Sequence, residues 1–199
     1  MKNWNALYNN VMDCLKEKLS PFLIYHHWKH TEHVLKIAEY IARKEHIIEE
    51  NIVLIKTAAL FHDAGFINDN NEGHEEEGVL LAEKKLPNFG YTKKEIEIIV
   101  GMIRATEIPQ KPKTKLECIL ADADLEYLGT DNFVHLGNKL YLELKHYNSN
   151  LSLEEWNEMQ INFLQSHVYH TDYCLQNRAN GKEKNMKELI QKQKSLEKF

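Results

Sequence analysis

The stretch NIVLIKTAALFHDAGF, residues 51 to 66, constrains this chain more than any other. From Asn51 to Phe61 most positions are apolar, the composition of a helix buried on nearly all sides. The run then closes on a histidine and an aspartate, His62 and Asp63. An ionised carboxylate in such a place is costly unless something positive meets it. The fold must therefore either expose the doublet at a helix end or provide it with a cation.

Elsewhere the sequence reads as helix after helix. Between about Lys29 and Glu45, Val34, Ile37, Ala38 and Ile41 fall at i, i+3, i+4 and i+7. Ser20-Pro21 reads as a helix start, and Thr92-to-Glu95 and Ser152-to-Glu155 read as capping boxes. Turns are expected at 65–73, 87–92, 108–114 and 128–132. The segment SHVYHT (166–171) is placed in a C-terminal helix. Met186, Leu189, Ile190 and Leu196 predict a last amphipathic helix, set off by a turn at NRANGKEK, 177–184. Little alternates with the period of a strand. With 199 residues and no linker, repeat or low-complexity tract, the expectation is one all-α domain over 1–199.

Charge and composition remove several classes of function. A net charge of -5 and the lack of a basic stripe argue against long nucleic acid as a partner. The opening MKNWNALYNNVMDCLKEKLS has no apolar run of signal-peptide type, and no stretch reaches membrane-span length. Cys14, Cys118 and Cys174 are scattered without a CxxC, which offers no zinc or disulfide framework and suits a reducing cytoplasm.

Helical spacing then sorts the polar residues by face. His30 lies one turn before Val34, on the face that the apolar stripe buries. His62 shares a face with Ala58 and Ala59, and Asp63 with Ala59 and Leu60. In ILADADLEYLG (119–129), Asp124 is flanked at helical spacing by Leu120, Ala121 and Leu128. Each of these alone reads more simply as a packed histidine or a capping aspartate. Together they would need four separate neutralising partners, and few cations lie near them in the sequence. One shared divalent ion answers all four, and two imidazoles with two carboxylates suit Mn, Fe, Ni, Zn or Mg.

Four segments, YHHWKHTEHV (25–34), AALFHDAGF (58–66), GHEEEG (73–78) and LADADLEYLG (120–129), occur here in that order. The arrangement resembles the HD superfamily of metal-dependent phosphohydrolases, over about residues 22–129. The resemblance implies a helical bundle with extra N- and C-terminal helices, residues 130–199 forming a C-terminal elaboration. It implies His30, His62, Asp63 and Asp124 as ligands of one divalent metal ion (Mn, Fe, Mg, Ni, Co or Zn), with Asp122 behind them. It also implies a small phosphorylated substrate, with nucleotides as first choice. In the family the metal polarises a phosphoryl oxygen and makes a water acidic near neutral pH, and Asp63 and Asp124 are expected to help hold or deprotonate that water. His26 sits in a segment similar to the Tyr-His-Asn signature of cyclic-nucleotide phosphodiesterases, where the matching histidine protonates the leaving oxygen; here His27 replaces the Asn. His74 matches a family histidine that faces the pocket, although Gly78 stands where a small hydroxyl residue is usual.

Arg104, Lys111, Lys113 and Lys115 are candidates to meet substrate phosphate. Two other functions fit the same fold: a binding module without turnover, and a dinuclear iron oxygenase. The oxygenase needs a further pocket histidine in the helix at 93–106, which contains none. His135, His146, His167 and His170 are assigned to packing or surface.

Overall fold

Residues 2–68 and 73–196 are described in this computed structural model. Ten α-helices form among them: α1 (Trp4–Lys18), α2 (Trp28–Lys44), α3 (Glu49–Phe61), α4 (His74–Lys85), α5 (Lys93–Arg104), α6 (Lys115–Leu125), α7 (Phe133–Tyr147), α8 (Leu153–Ser166), α9 (Asp172–Asn177) and α10 (Ala179–Leu196). No strand occurs among the described residues. The all-α expectation holds.

α3 is apolar on nearly every side because it is surrounded. Helices α1, α2, α4, α5 and α6 all pack against it. Thr57, polar within this run, bonds the Val53 carbonyl at 2.7 Å and the Tyr91 hydroxyl at 2.8 Å, so its burial leaves no unsatisfied group. Gly78 has a packing reason: a side chain there would place Cβ 2.5 Å from the Phe61 carbonyl oxygen, so α4 could not lie against the end of α3. Along α2, Val34, Ala38 and Ile41 are fully buried, as the stripe predicts. Both capping boxes form, at Thr92 for α5 and at Ser152 for α8.

Three local expectations give way to tertiary contacts. Ser20-Pro21 starts no helix: the chain makes a bent link, in which Ser20 Oγ accepts from the Phe22 amide at 3.4 Å. The amides of Tyr25 and His26 donate instead to Glu143 Oε2 on α7, at 2.7 and 3.1 Å, and α2 begins only at Trp28. The segment 167–171 is not helical but links α8 to α9, its backbone bonded to Asp122. NRANGKEK is mostly helix, since α10 begins at Ala179. Gly181 sits inside that helix because a Cβ would come 2.2 Å from the Gly129 carbonyl oxygen, a close approach only glycine permits. Of the turn expected at 65–73, residues 64–68 form a 3-10 turn and 69–72 lie outside the described residues. The side chain of Leu196 also lies outside them.

Two hydrophobic clusters result. One fills α1 to α6 around α3. The second joins Tyr25, Leu125, Tyr127, Leu128, Phe133, Leu164 and Leu189, between the end of α6 and helices α7, α8 and α10. No described helix is long and apolar enough to cross a membrane.

Candidate metal centre

The doublet sits at the C-terminal end of α3, yet it is buried: His62 is 0% and Asp63 6% exposed. Both alternatives raised by the sequence are thereby narrowed to one, a buried pair in need of a positive partner. His62 is locked by its own helix. Its Nδ1 lies 2.8 Å from the Ala59 carbonyl, which can only accept, so Nδ1 carries the proton and the Nε2 lone pair faces inward. His30 comes from the first turn of α2 and Asp124 from the last turn of α6.

These side chains converge. His30 Nε2 lies 3.0 Å from Asp124 Oδ1, and His62 Nε2 lies 3.4 Å from His30 Nε2 and 3.5 Å from Asp124 Oδ1. These three residues offer ligand atoms all within 4.8 Å of one another. Asp63 stands outside that compact trio, but its Oδ2 approaches His62 Nε2 to 3.2 Å and His30 Nε2 to 3.4 Å. Ligands bonded to one ion at about 2.0–2.2 Å lie roughly 3 Å from their neighbours in the coordination sphere. The observed spacings match. Asp63 Oδ2 is buried and has no hydrogen-bond partner among the described residues, so the cage holds an acceptor in want of a cation.

The electrostatics agree. Burial pushes the His62 pKa down, but the Asp63 and Asp124 carboxylates outweigh it and hold it well above the ordinary value. Burial would raise Asp63, yet positive charge on His62, and after it on His26 and His30, keeps it well below the usual carboxylate range. Asp124 is depressed in the same way, its burial being overcome by hydrogen bonds to His30 and His62. The cluster stabilises positive charge wherever it can find it. The donor set therefore fits a divalent ion.

Beside the cluster opens a chamber of about 520 Å³, and His26 and His74 line it with Asp63 and Asp124. His26 Nδ1 is in short contact with Glu143 Oε1, which leaves Nε2 for the chamber. Burial lowers the His26 pKa, but the hydrogen bond to Glu143 and the charges of Asp63 and Glu143 raise it overall. Phe66 stacks on both His26 and His74, with ring centroids 4.5 and 4.1 Å away, and the two imidazoles lie 6.1 Å apart. His74 opens α4, with Nε2 3.6 Å from Asp63 Oδ1 and 3.2 Å from Glu75 Oε1.

Several sequence assignments fall elsewhere. Asp122 is not behind the ligands: its carboxylate accepts from the amides of His170 and Thr171 at 2.9 and 2.8 Å and from the Thr171 hydroxyl at 2.6 Å. It anchors the link into α9. Arg104 pairs with Glu76 at 2.6 Å and Lys115 with Glu45 at 3.2 Å. Lys111 and Lys113 lie with Arg104 in a separate depression. His146 stacks on Phe22, and His135 lies near His27 and His33 in a shallow cleft behind His30. His167 is buried against Tyr169, its pKa pushed down to about 3 by burial and by Lys182. Glu143 escaped sequence reasoning. Its only trace was one acidic residue inside the apolar run LYLEL, and its partner lies 117 positions away.

Residues 28–126 match the family model of the HD domain, so this segment of the chain is an HD domain. Among solved structures, the chain is similar to a predicted HD superfamily hydrolase from an uncultured Thermotogales bacterium. The two are 20% identical with a TM-score of 0.55, over 79% of this chain and 88% of that one. At this identity the likeness concerns the fold, and it reaches beyond the segment matched by the family model. No curated protein matches the chain significantly.

Proposed function

We propose that the protein is a divalent-metal-dependent phosphohydrolase that cleaves an ester or anhydride of a small phosphorylated molecule. The observation that carries this reading is the convergence of His30, His62 and Asp124, with Asp63 alongside, next to a chamber that Asp63, Asp124 and His26 line. In this reading His30, His62, Asp63 and Asp124 hold one divalent ion, whose two charges balance the two carboxylates. Such an ion supplies a Lewis acid for the phosphoryl oxygen and a source of nucleophilic water near neutral pH.

The chain's own groups do the rest. Asp63 orients the water and accepts its proton. His26, held by Glu143, donates a proton from Nε2 to the leaving oxygen as the P–O bond breaks. His74 lies 6.1 Å from the His26 ring, on the same chamber, where it can meet a phosphate oxygen. Because Glu143 comes from α7, the proposed unit is the whole of 1–199, not the HD segment alone. We place it in the cytoplasm, where its three free cysteines are at home. The oxygenase finds no support, since α5, the helix packed on α4, has no histidine.

Phosphate release from p-nitrophenyl phosphate and a nucleotide panel, with Mn²⁺ and after chelation, tests the proposal. The expected outcome is metal-dependent release that Asp124→Ala abolishes. Release of phosphate only from polymeric duplex, or stoichiometric metal without turnover of any ester, would contradict it. The latter result would point to a binding module.

A further inference from the structure

The chamber beside the metal centre does not look like a receptacle for polyphosphate. Away from the polar floor its wall is built by Leu128, Phe133, Leu144, Trp156, Met159 and Phe163. These come from the 3-10 turn after α6 and from α7 and α8; Leu128 and Phe133 belong to the second hydrophobic cluster, and Phe163 packs against it. A half-open chamber of about 520 Å³ lined mainly by apolar side chains has the size and lining of a small-molecule site.

Charge points the same way. Apart from imidazoles, the carboxylates and ammonium-type groups on the wall are, among the described residues, three acids, Asp63, Glu75 and Asp124, with no lysine or arginine. One divalent ion offsets Asp63 and Asp124 and leaves Glu75. A triphosphate with about four negative charges would meet no lysine or arginine there, and His26, the cationic imidazole, is already paired with Glu143. Arg104 and Lys115 are engaged by Glu76 and Glu45.

We infer that the substrate is a phosphate monoester of an apolar alcohol, with its phosphate at the metal centre and its hydrocarbon body in the α7–α8 chamber. The inference rests on the phosphohydrolase reading and narrows its substrate. The reaction breaks the bond from phosphorus to the alcohol oxygen and forms a bond from the water oxygen to phosphorus. One proton of that water ends on the alcohol, and the products are the alcohol and hydrogen phosphate.

Two readouts separate the pocket from the chemistry. Decylphosphonate, which has no ester oxygen to lose, is titrated by calorimetry into Mn²⁺-loaded protein beside adenosine 5′-monophosphate. Butyl, hexyl and octyl phosphate are compared with the same nucleotide as substrates. Decylphosphonate is expected to bind at least about tenfold more tightly than the nucleotide, and kcat/KM to rise roughly two- to fourfold per added methylene. Met159→Glu, at a half-exposed wall position that tolerates a charge, and Leu144→Gln should each shrink both advantages by about tenfold. Decylphosphonate that binds no better than the nucleotide, a flat chain-length series, or indifference to both wall variants would overturn the inference. If decylphosphonate binds as expected and the wall variants weaken it, but no ester is hydrolysed, the chamber assignment stands and the phosphohydrolase reading falls.

Discussion

His26 and Glu143 form the contact on which the chemistry at single-residue scale turns. Glu143 is 3% exposed and spends both oxygens on two adjacent residues, Oε1 on the His26 ring and Oε2 on the Tyr25 and His26 amides. Because the His26 pKa is raised, the imidazolium persists above the ordinary histidine value and is lost as pH climbs through the raised one. A proton donor behaves accordingly: kcat should fall on the alkaline side of that pKa. Glu143→Gln should move this limb to lower pH. His26→Gln should remove it and lower kcat by about 10²- to 10⁴-fold. The same sign governs stability: the pair contributes below the ordinary histidine pKa, and its contribution disappears as pH rises through the raised one. A pH-rate profile of the three proteins checks the assignment, and an alkaline limb unmoved by Glu143→Gln would count against it.

At the scale of elements, α6 faces two ways. One turn of its C-terminal half directs Asp124 to the metal cluster, while Asp122, two residues earlier, binds the backbone that enters α9. Both aspartates sit in one apolar repeat, LADADL, and helical spacing makes both look inward. It cannot say which neighbour lies inward of each. Asp122→Ala should leave three donors in a largely buried place without an acceptor, and so destabilise the protein by about 3 kcal/mol. Metal content should remain stoichiometric. Asp124→Ala should do the reverse, emptying the cluster with a smaller effect on the metal-free fold. Denaturant unfolding paired with elemental analysis separates the two, and loss of metal in the Asp122 variant would return it to the ligand environment. The helix periods and capping boxes were legible for the same reason that Asp122 was not: they depend on residues within one turn of each other. The bent link at 20–27 and the extended link at 167–171 depend on acceptors from α7 and α6, far off in the chain.

The whole molecule is two hydrophobic clusters with the candidate centre at their border. A buried group of two histidines and two aspartates is poorly balanced without a cation, so metal binding should act as a stabiliser of the entire fold. At a metal concentration 100 times Kd the gain is about 2.7 kcal/mol. For a chain of this size that corresponds to a rise in Tm of roughly 5–10 °C. Thermal scans with Mn²⁺, with chelator and after metal is restored should show that rise, its loss and its return. A Tm indifferent to every divalent ion would argue that the cluster holds only protons.

Sequence by itself determined the all-α class, the capping boxes that open α5 and α8, and the inward faces of His30, His62, Asp63 and Asp124. Helical period and burial are properties of neighbours along the chain, and a carboxylate on an apolar face announces a partner without naming it. Tertiary structure alone decided that Glu143 holds His26, that Asp122 anchors α9, that Arg104 and Lys115 are engaged elsewhere, and that α7 and α8 enclose an apolar chamber. Each of these is a contact between segments separated by dozens of residues or more, and the shape of a cavity belongs to the space between elements, which no local pattern encodes.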